Sequence, residues 1–414
     1  MSEWEEVVLG DLCERVTVGH VGKMATQYVE RGVPFLRSQN VRPFVINRKG
    51  LLFIGDDFNA KLRKSSLAAG DVVVVRTGYP GTASVIPEDL DGANCADLVV
   101  ITPSDRLNPH VLAGLFNSIY GQSAVKSQLV GSAQQHFNVG SAKAMKVRLP
   151  DRAGQDRIAE VLCCLNDLIE NNRRRVEALE EMARTIYREW FVKFRYPGHG
   201  DVPLVDSVLG PIPEGWEWGK VDDVVRIVKD AVDPSTLDPG TAAVGLEHIP
   251  RGQITLDAWG RAGDQGSRKA VFTKGDVLFG KIRPYFHKVS VAPIDGISST
   301  DAIVIRPLEP HWGQVVMLTS SVEFVAHATQ TSNGTKMPRA DWKVLGQWPV
   351  AVPPGRLSAA FTRMARDQLG LAETLMFENR RLSELRDLLL PKLVTGQVDV
   401  SALDLDALVE GAVA

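Results

Sequence analysis

"GDVVVVRTGY" occupies residues 70–79, and "GDVLFGKIRP" occupies residues 275–284. Each opens on Gly-Asp-Val, continues as a short apolar run and ends on a base followed by turn residues. Short Val/Ile-rich runs between Gly/Pro/Asn/Asp clusters read as strands. Two such strands with one opening and different endings raise the question of how far the likeness extends.

It extends through each half of the chain. "EWEEVVLGDL" (3–12) returns as "GWEWGKVDDV" (215–224), and "PFLRSQNV" (34–41) as "AVGLEHIP" (243–250). "CADLVVITP" (95–103) stands beside "STDAIVIRP" (299–307), "GSAQQHFN" (131–138) beside "NGTKMPRA" (333–340), and "VRLP" (147–150) beside "VAVP" (350–353). The offset drifts from 212 to 203 while the order holds, and this period is far beyond the roughly 20–50 residues of a solenoid repeat. A duplicated mixed α/β globule of about 150 residues is expected, at the usual domain size.

Each globule is followed by a different kind of sequence. Ile158, Leu162, Leu165, Ile169, Asn172, Val176, Leu179, Ala183, Ile186 and Trp190 step by fours and threes, as do Leu357, Phe361, Met364, Gln368, Leu371, Leu375, Glu378, Leu382, Leu385, Leu389 and Lys392. A 3.5-residue apolar period is that of a coiled-coil seam. About 40 residues of helix span roughly 60 Å. An apolar seam needs a partner, and globules related by a two-fold axis require the helices to run antiparallel. Asn172, Gln368 and Glu378 either fix register or tolerate partial exposure. Pro391 should kink or loosen the second helix.

The expected fold class is therefore α+β (mixed α/β): two globular copies joined by two long helices forming an antiparallel coiled coil with pseudo-two-fold symmetry. The segments are a first globule at 1–152, a helix at 153–194, a Pro/Gly-rich linker at 195–214, a second globule at 215–354, a helix at 355–396 and a tail at 397–414.

Net charge is −3, yet residues 37–64 carry seven Lys/Arg against two Asp, and residues 251–288 carry eight against three. Two windows of net +5 in an acidic chain suggest two anion-facing surfaces. The four cysteines form no disulfide framework, no apolar run suits a bilayer, and the acidic start carries no secretory pattern, so a cytoplasmic protein is expected. Gly-Lys occurs at Gly22, Gly219 and Gly280 without the rest of a phosphate-binding loop. No methyltransferase or nuclease motif is present, and the eight histidines lack metal-ligand spacing. No covalent chemistry and no metal site are expected in this chain.

Recognition remains. The copies keep their strands and vary the strand ends: Arg76, Thr77 and Tyr79 against Lys281, Arg283 and Tyr285; Arg37, Gln39 and Asn40 against Glu247 and His248; Gln134, Gln135 and His136 against Asn333, Thr335 and Lys336. Arg and Lys suit guanine edges, Asn and Gln suit adenine, and Glu accepts from cytosine. These are the candidate DNA-binding residues.

"QDRIAEVLCCLNDLIENNRR" (155–174), "REWFVKF" (188–194), "GPIPEGWEW" (210–218) and "LRDLLLPKLVTGQVDV" (385–400) resemble the specificity subunit of type I restriction-modification systems. The resemblance covers essentially the whole chain. It implies that the globules are two target recognition domains, each reading one half of an interrupted site in double-stranded DNA. It implies that the helices set the spacing and dock two modification subunits, which bind S-adenosylmethionine and methylate adenine. Restriction subunits, using ATP and Mg, would be further partners, and this chain would hold no cofactor. Tyr187, Trp190, Phe191 and Phe194 are expected to pack the first helix onto the first globule, with a modification-subunit contact as the other option. The competing reading is a stand-alone bivalent DNA-binding regulator.

Overall fold

The computed structural model describes residues 4–130, 136–208 and 210–398. Contacts divide the chain into two compact units, one of residues up to Ile169 together with those from Arg381 onward, the other Glu170–Arg380. Both boundaries fall inside the long helices, so each unit owns a globule and a portion of each helix.

In the first unit, Cys13–Val18, Leu98–Pro103, Val72–Val75 and Ala83–Val85 form an antiparallel sheet in that spatial order. In the second, Val225–Ile227, Ala302–Pro307, Val277–Gly280 and Val289–Val291 repeat the order and the pairing. Glu5–Val8 pairs with Lys146–Leu149, and Glu217–Lys220 pairs with Pro349–Val352. A second sheet in each unit contains one parallel pair, Asn94–Cys95 with Val33–Leu36 and Gly296–Ser298 with Ala242–Val244. The duplication is thus one of topology as well as of sequence.

The Val72–Val75 run is apolar at every position because both faces of the sheet are covered. Val72 and Val74 join Val99, Ile101 and helix Pro109–Asn117 in one cluster; Val73 and Val75 join Leu36, Leu98 and Val100 in another. In the second copy Val277 and Phe279 face helices Trp312–Thr319 and Val322–Gln330, while Leu278 faces Val244 and Val304. The four valines are at most 2% exposed, and each such burial contributes roughly 1.5–3 kcal/mol relative to exposure. Asn108 and Ser321 cap Pro109–Asn117 and Val322–Gln330 by accepting from His110 N and Phe324 N.

The Gly-Asp-Val opening has the same role in both copies. Gly70 and Gly275 turn the chain at φ +86° and +90°, a conformation glycine adopts without penalty. The Asp71 carboxylate accepts from Ala68 N (2.9 Å) and Arg15 Nη2 (2.7 Å), and from Thr102 Oγ1. The Asp276 carboxylate accepts from Thr273 N (2.8 Å) and Arg306 Nη2 (2.6 Å). Arg306 stands where the first copy has Thr102, so the arginine moves one strand across while the buried aspartate stays.

The long helices are Arg152–Tyr187 and Gly355–Val394. Within the second unit Val176 packs with Ala372 and Leu375, and Tyr187 meets Phe361, so the two segments run antiparallel. Within the first unit Arg386 Nη1 donates to Asn166 Oδ1 at 3.1 Å. Ile158, Leu162, Leu165, Ile169, Asn172 and Val176 are buried as the heptad reading expects. Leu179 is half-buried, and the adjacent Glu180 is 1% exposed, accepting from Ile254 N, Thr255 N and Thr255 Oγ1.

The second helix departs from its expected seam. Leu371 is 45% exposed, Leu357, Met364, Leu385 and Leu389 are only partly buried, and the buried stripe runs through Phe361, Ala365, Leu369, Ala372, Leu375 and Leu382. The helix covers a globule as well as a helix: Ala365 packs in the second unit's core and Ala372 packs with Val176. Pro391 lies inside the helix, which continues past it to Val394. The aromatic cluster is also placed differently from expectation. Tyr187, Trp190, Phe191 and Phe194 pack with Trp216 and Phe361 in the second unit's core, because the helix carries them about 50 Å along its axis from Arg152. No helix among the described residues is long and apolar enough to cross a membrane.

Candidate nucleic-acid interface

Strand register assembles each candidate surface. In the first unit Leu98 lies opposite Val75, so the next residues outward, Asp97 and Arg76, face one another as the strands leave the sheet. In the second unit Ala302 lies opposite Gly280, which sets Asp301 against Lys281. The same register thus brings a base and an acid together twice.

In the first unit the base is folded in. Arg76 is 16% exposed; its Nη1 donates to Asp97 Oδ1 at 3.1 Å and its Nε to Phe137 O at 3.1 Å. Thr77 Oγ1 donates to Asp97 Oδ2 at 2.8 Å. Asp97 sits at φ +53° with its N–H on His20 O, and its carbonyl accepts from Ser38 Oγ. These bonds draw together the loops that hold Ser38, Arg76, Asp97 and Phe137. Arg37 donates through Nη2 to Gly50 O, leaving a buried Nε without a partner. Gln39 and His136 are exposed, and Tyr79 is 84% exposed beyond Thr77. Asn40 is fully buried: its Oδ1 accepts from Arg37 N and its Nδ2 donates to Asn47 O, so it shapes the loop and offers no edge to a base. Gln134 and Gln135 lie outside the described residues.

The second unit presents more free charge. Lys281 binds through its backbone, N–H to Asp301 O and carbonyl to Ala340 N, and its ammonium has no hydrogen bond among the described residues. Arg283 and His287 have φ of +50° and +51° and bracket the turn Pro284–Phe286. Tyr285 projects from that turn, 51% exposed. Arg251 stacks 4.0 Å over Phe286. Lys288 donates to Leu246 O, and burial, helped by nearby Arg251, holds its ammonium below the ordinary lysine range. Arg283 N donates to Pro338 O, which joins this turn to the loop carrying exposed Asn333, Thr335 and Lys336. Glu247 is exposed, while His248 Nδ1 accepts from Gly245 N. Residues 245–252, 281–288 and 333–340 thus form one surface rich in donors.

Asn138 and Asp341 cap the equivalent short helices Val139–Ala144 and Trp342–Leu345, and Phe137 N and Ala340 N donate to Arg76 O and Lys281 O. The last repeat block therefore aligns Phe137 with Ala340, one residue from the sequence alignment, because the cap fixes the register. Sequence reasoning also missed Asp97, Asp301 and Arg339, whose Nη2 lies 3.9 Å from Asp301 Oδ1. The shared aspartate was visible in "CADLVVITP" and "STDAIVIRP".

Residues 1–181 match the family described as "Type I restriction modification DNA specificity domain". The EcoDI specificity subunit of Escherichia coli, a type I restriction enzyme subunit, is 25% identical over 268 residues, covering 59% of this chain and 60% of that one. The MjaIX specificity subunit of Methanocaldococcus jannaschii is 21% identical over 319 residues, covering 73% and 72%. The chain thus spans about three-fifths of the E. coli relative and under three-quarters of the archaeal one. The crystal structure of the type I restriction-modification S subunit from M. genitalium shares the fold at TM-score 0.57 and 12% identity, over 95% of this chain and 96% of that one.

Proposed function

We propose, from the premise that this chain belongs with the type I restriction enzyme specificity subunits, that it reads double-stranded DNA as a bipartite, interrupted target, one half-site per unit. The observation that carries the reading is the twice-built scaffold with differing strand ends: the same sheet, register and Gly-Asp-Val turn support Arg76, Asp97 and Tyr79 in one copy and Lys281, Arg283 and Tyr285 in the other. A conserved support with altered polar tips is what reading two different sequences requires, since base edges are distinguished by donor and acceptor pattern.

The chain acts without catalysis of its own. Two adenine-methylating modification subunits bring S-adenosylmethionine, and restriction subunits, where present, bring ATP- and Mg-dependent action. The long helices act as an antiparallel coiled coil that sets the unread spacer and docks the modification subunits; the antiparallel pairing of the two helix segments within the second unit supports this arrangement. Phosphate contacts shared with the modification subunits explain how an acidic chain serves DNA binding.

Co-expression with the modification subunit, followed by mapping of methylated adenines on random-sequence DNA, tests the reading. A two-part motif with a fixed gap is expected. A stable complex that methylates without sequence preference would leave the chain as a scaffold only.

A further inference from the structure

The first unit's loop cluster places a carboxylate at the centre of a surface read as DNA-facing. Arg76 is 16% exposed and Asp97 is 44% exposed, so the acid and not the base reaches solvent. A carboxylate facing a phosphate at 4 Å is repelled by about 1 kcal/mol in bulk water and more beside protein. Asp97 is nevertheless held in place from every side. Arg76 Nη1 and Thr77 Oγ1 each take one oxygen, His20 O takes its N–H, and Ser38 Oγ donates to its carbonyl. Its φ of +53° is a left-handed conformation that aspartate and asparagine tolerate better than other side chains. Each carboxylate oxygen keeps an acceptor site, since an ionised carboxylate has about four.

An acceptor fixed in this way needs a donor on the DNA. In the major groove the donors are the amino groups of cytosine and adenine, and adenine sets an acceptor nitrogen beside its amino group. Adenine's amino group thus has an acceptor on both sides, its own N7 and the paired thymine O4, whereas cytosine's has guanine O6 on one side and a C–H on the other, so a second carboxylate oxygen is tolerated better at cytosine. We propose that Asp97 is the specificity-determining acceptor of the first unit, reading the amino group of a cytosine in one half-site, with Arg76 and Thr77 as positioning residues. The assignment rests on the DNA-recognition reading above. The second unit supplies an internal control: Asp301 occupies the same register position and is 40% exposed, with Arg339 3.9 Å away.

The test is methylation mapping with the full chain and its modification subunit, comparing wild type with Asp97→Asn, Asp97→Gly and Asp301→Asn. Asn and Gly both accept the positive φ; Asn turns a donor toward the cytosine and Gly removes the contact. Both Asp97 variants should lose discrimination by on the order of 10-fold at a single C·G pair, with the other half-site intact; Asp97→Asn keeps an amide oxygen for Arg76 and should hold the unfolding midpoint near wild type, whereas Asp97→Gly, which leaves the largely buried Arg76 without its acid, should lower it. Asp301→Asn should leave that pair untouched. Arg76→Gln should weaken discrimination at the same pair and Arg76→Lys should restore part of it, which a merely structural role would not produce. An unchanged motif in the Asp97 variants, or relaxation at an A·T pair instead, overturns the assignment. Absence of any bipartite motif with the wild-type chain is a separate result and sinks the DNA-recognition reading itself.

Discussion

Asp71 and Asp276 account for the repeated Gly-Asp-Val. Each is at most 2% exposed, caps the turn before its strand and pairs with a partly exposed arginine. Asp276→Ala removes the Arg306 partner and the acceptor for Thr273 N. Breaking a buried pair costs about 3–5 kcal/mol, and because Arg306 can reach water we expect about 2–3 kcal/mol, read from the denaturant midpoint. A loss under about 0.5 kcal/mol, the range of ordinary surface changes, would mean that the shared word has no structural role. Arg76 illustrates the opposite case. Its sequence position at a strand end was legible, but its burial was not, because Asp97 and Phe137 become its neighbours only through strand register and loop closure.

The long helices were legible as elements and partly misread as faces. The heptad pattern located the buried stripe of the first helix through Val176; in the second it held at Phe361, Leu375 and Leu382 and fell one residue short between them, at Met364, Gln368 and Leu371 instead of Ala365, Leu369 and Ala372. A 3.5-residue period and a 3.6-residue helix drift apart by about 20° per heptad, and a helix that also covers a globule need not keep the narrow seam. Leu371→Ala should therefore change stability by less than about 0.5 kcal/mol, whereas Leu375→Ala, 4% exposed, should cost about 2–5 kcal/mol. Equal effects on the thermal midpoint would restore the sequence register. Glu180 was not legible at all: an i+4 partner to Arg184 suggests a solvated pair, yet its carboxylate receives two backbone amides and a hydroxyl.

At the scale of the whole molecule, the duplication and the helices together predict a measurable ruler. Removing four residues from one long helix shortens it by about 6 Å, close to two steps of duplex at about 3.4 Å each. The unread gap in the methylated motif should shrink accordingly while both half-sites persist. A gap of unchanged length would refute helix-set spacing. Exchange of one globule for that of a related chain should replace one half-site and leave the other.

The sequence by itself determined the twofold repetition, the strands, the two long helices and the positions where the copies diverge. These follow from local pattern: period two or unbroken apolar runs for strands, steps of three and four for helices, glycine where φ must be positive. Only the tertiary structure decided which polar groups at those positions face outward. Asn40 and Arg76 turned inward, Asp97 outward, and the aromatic end of the first helix entered the second unit's core. The reason is physical: exposure and hydrogen-bond partnership are set by residues distant in sequence, and no local period records them.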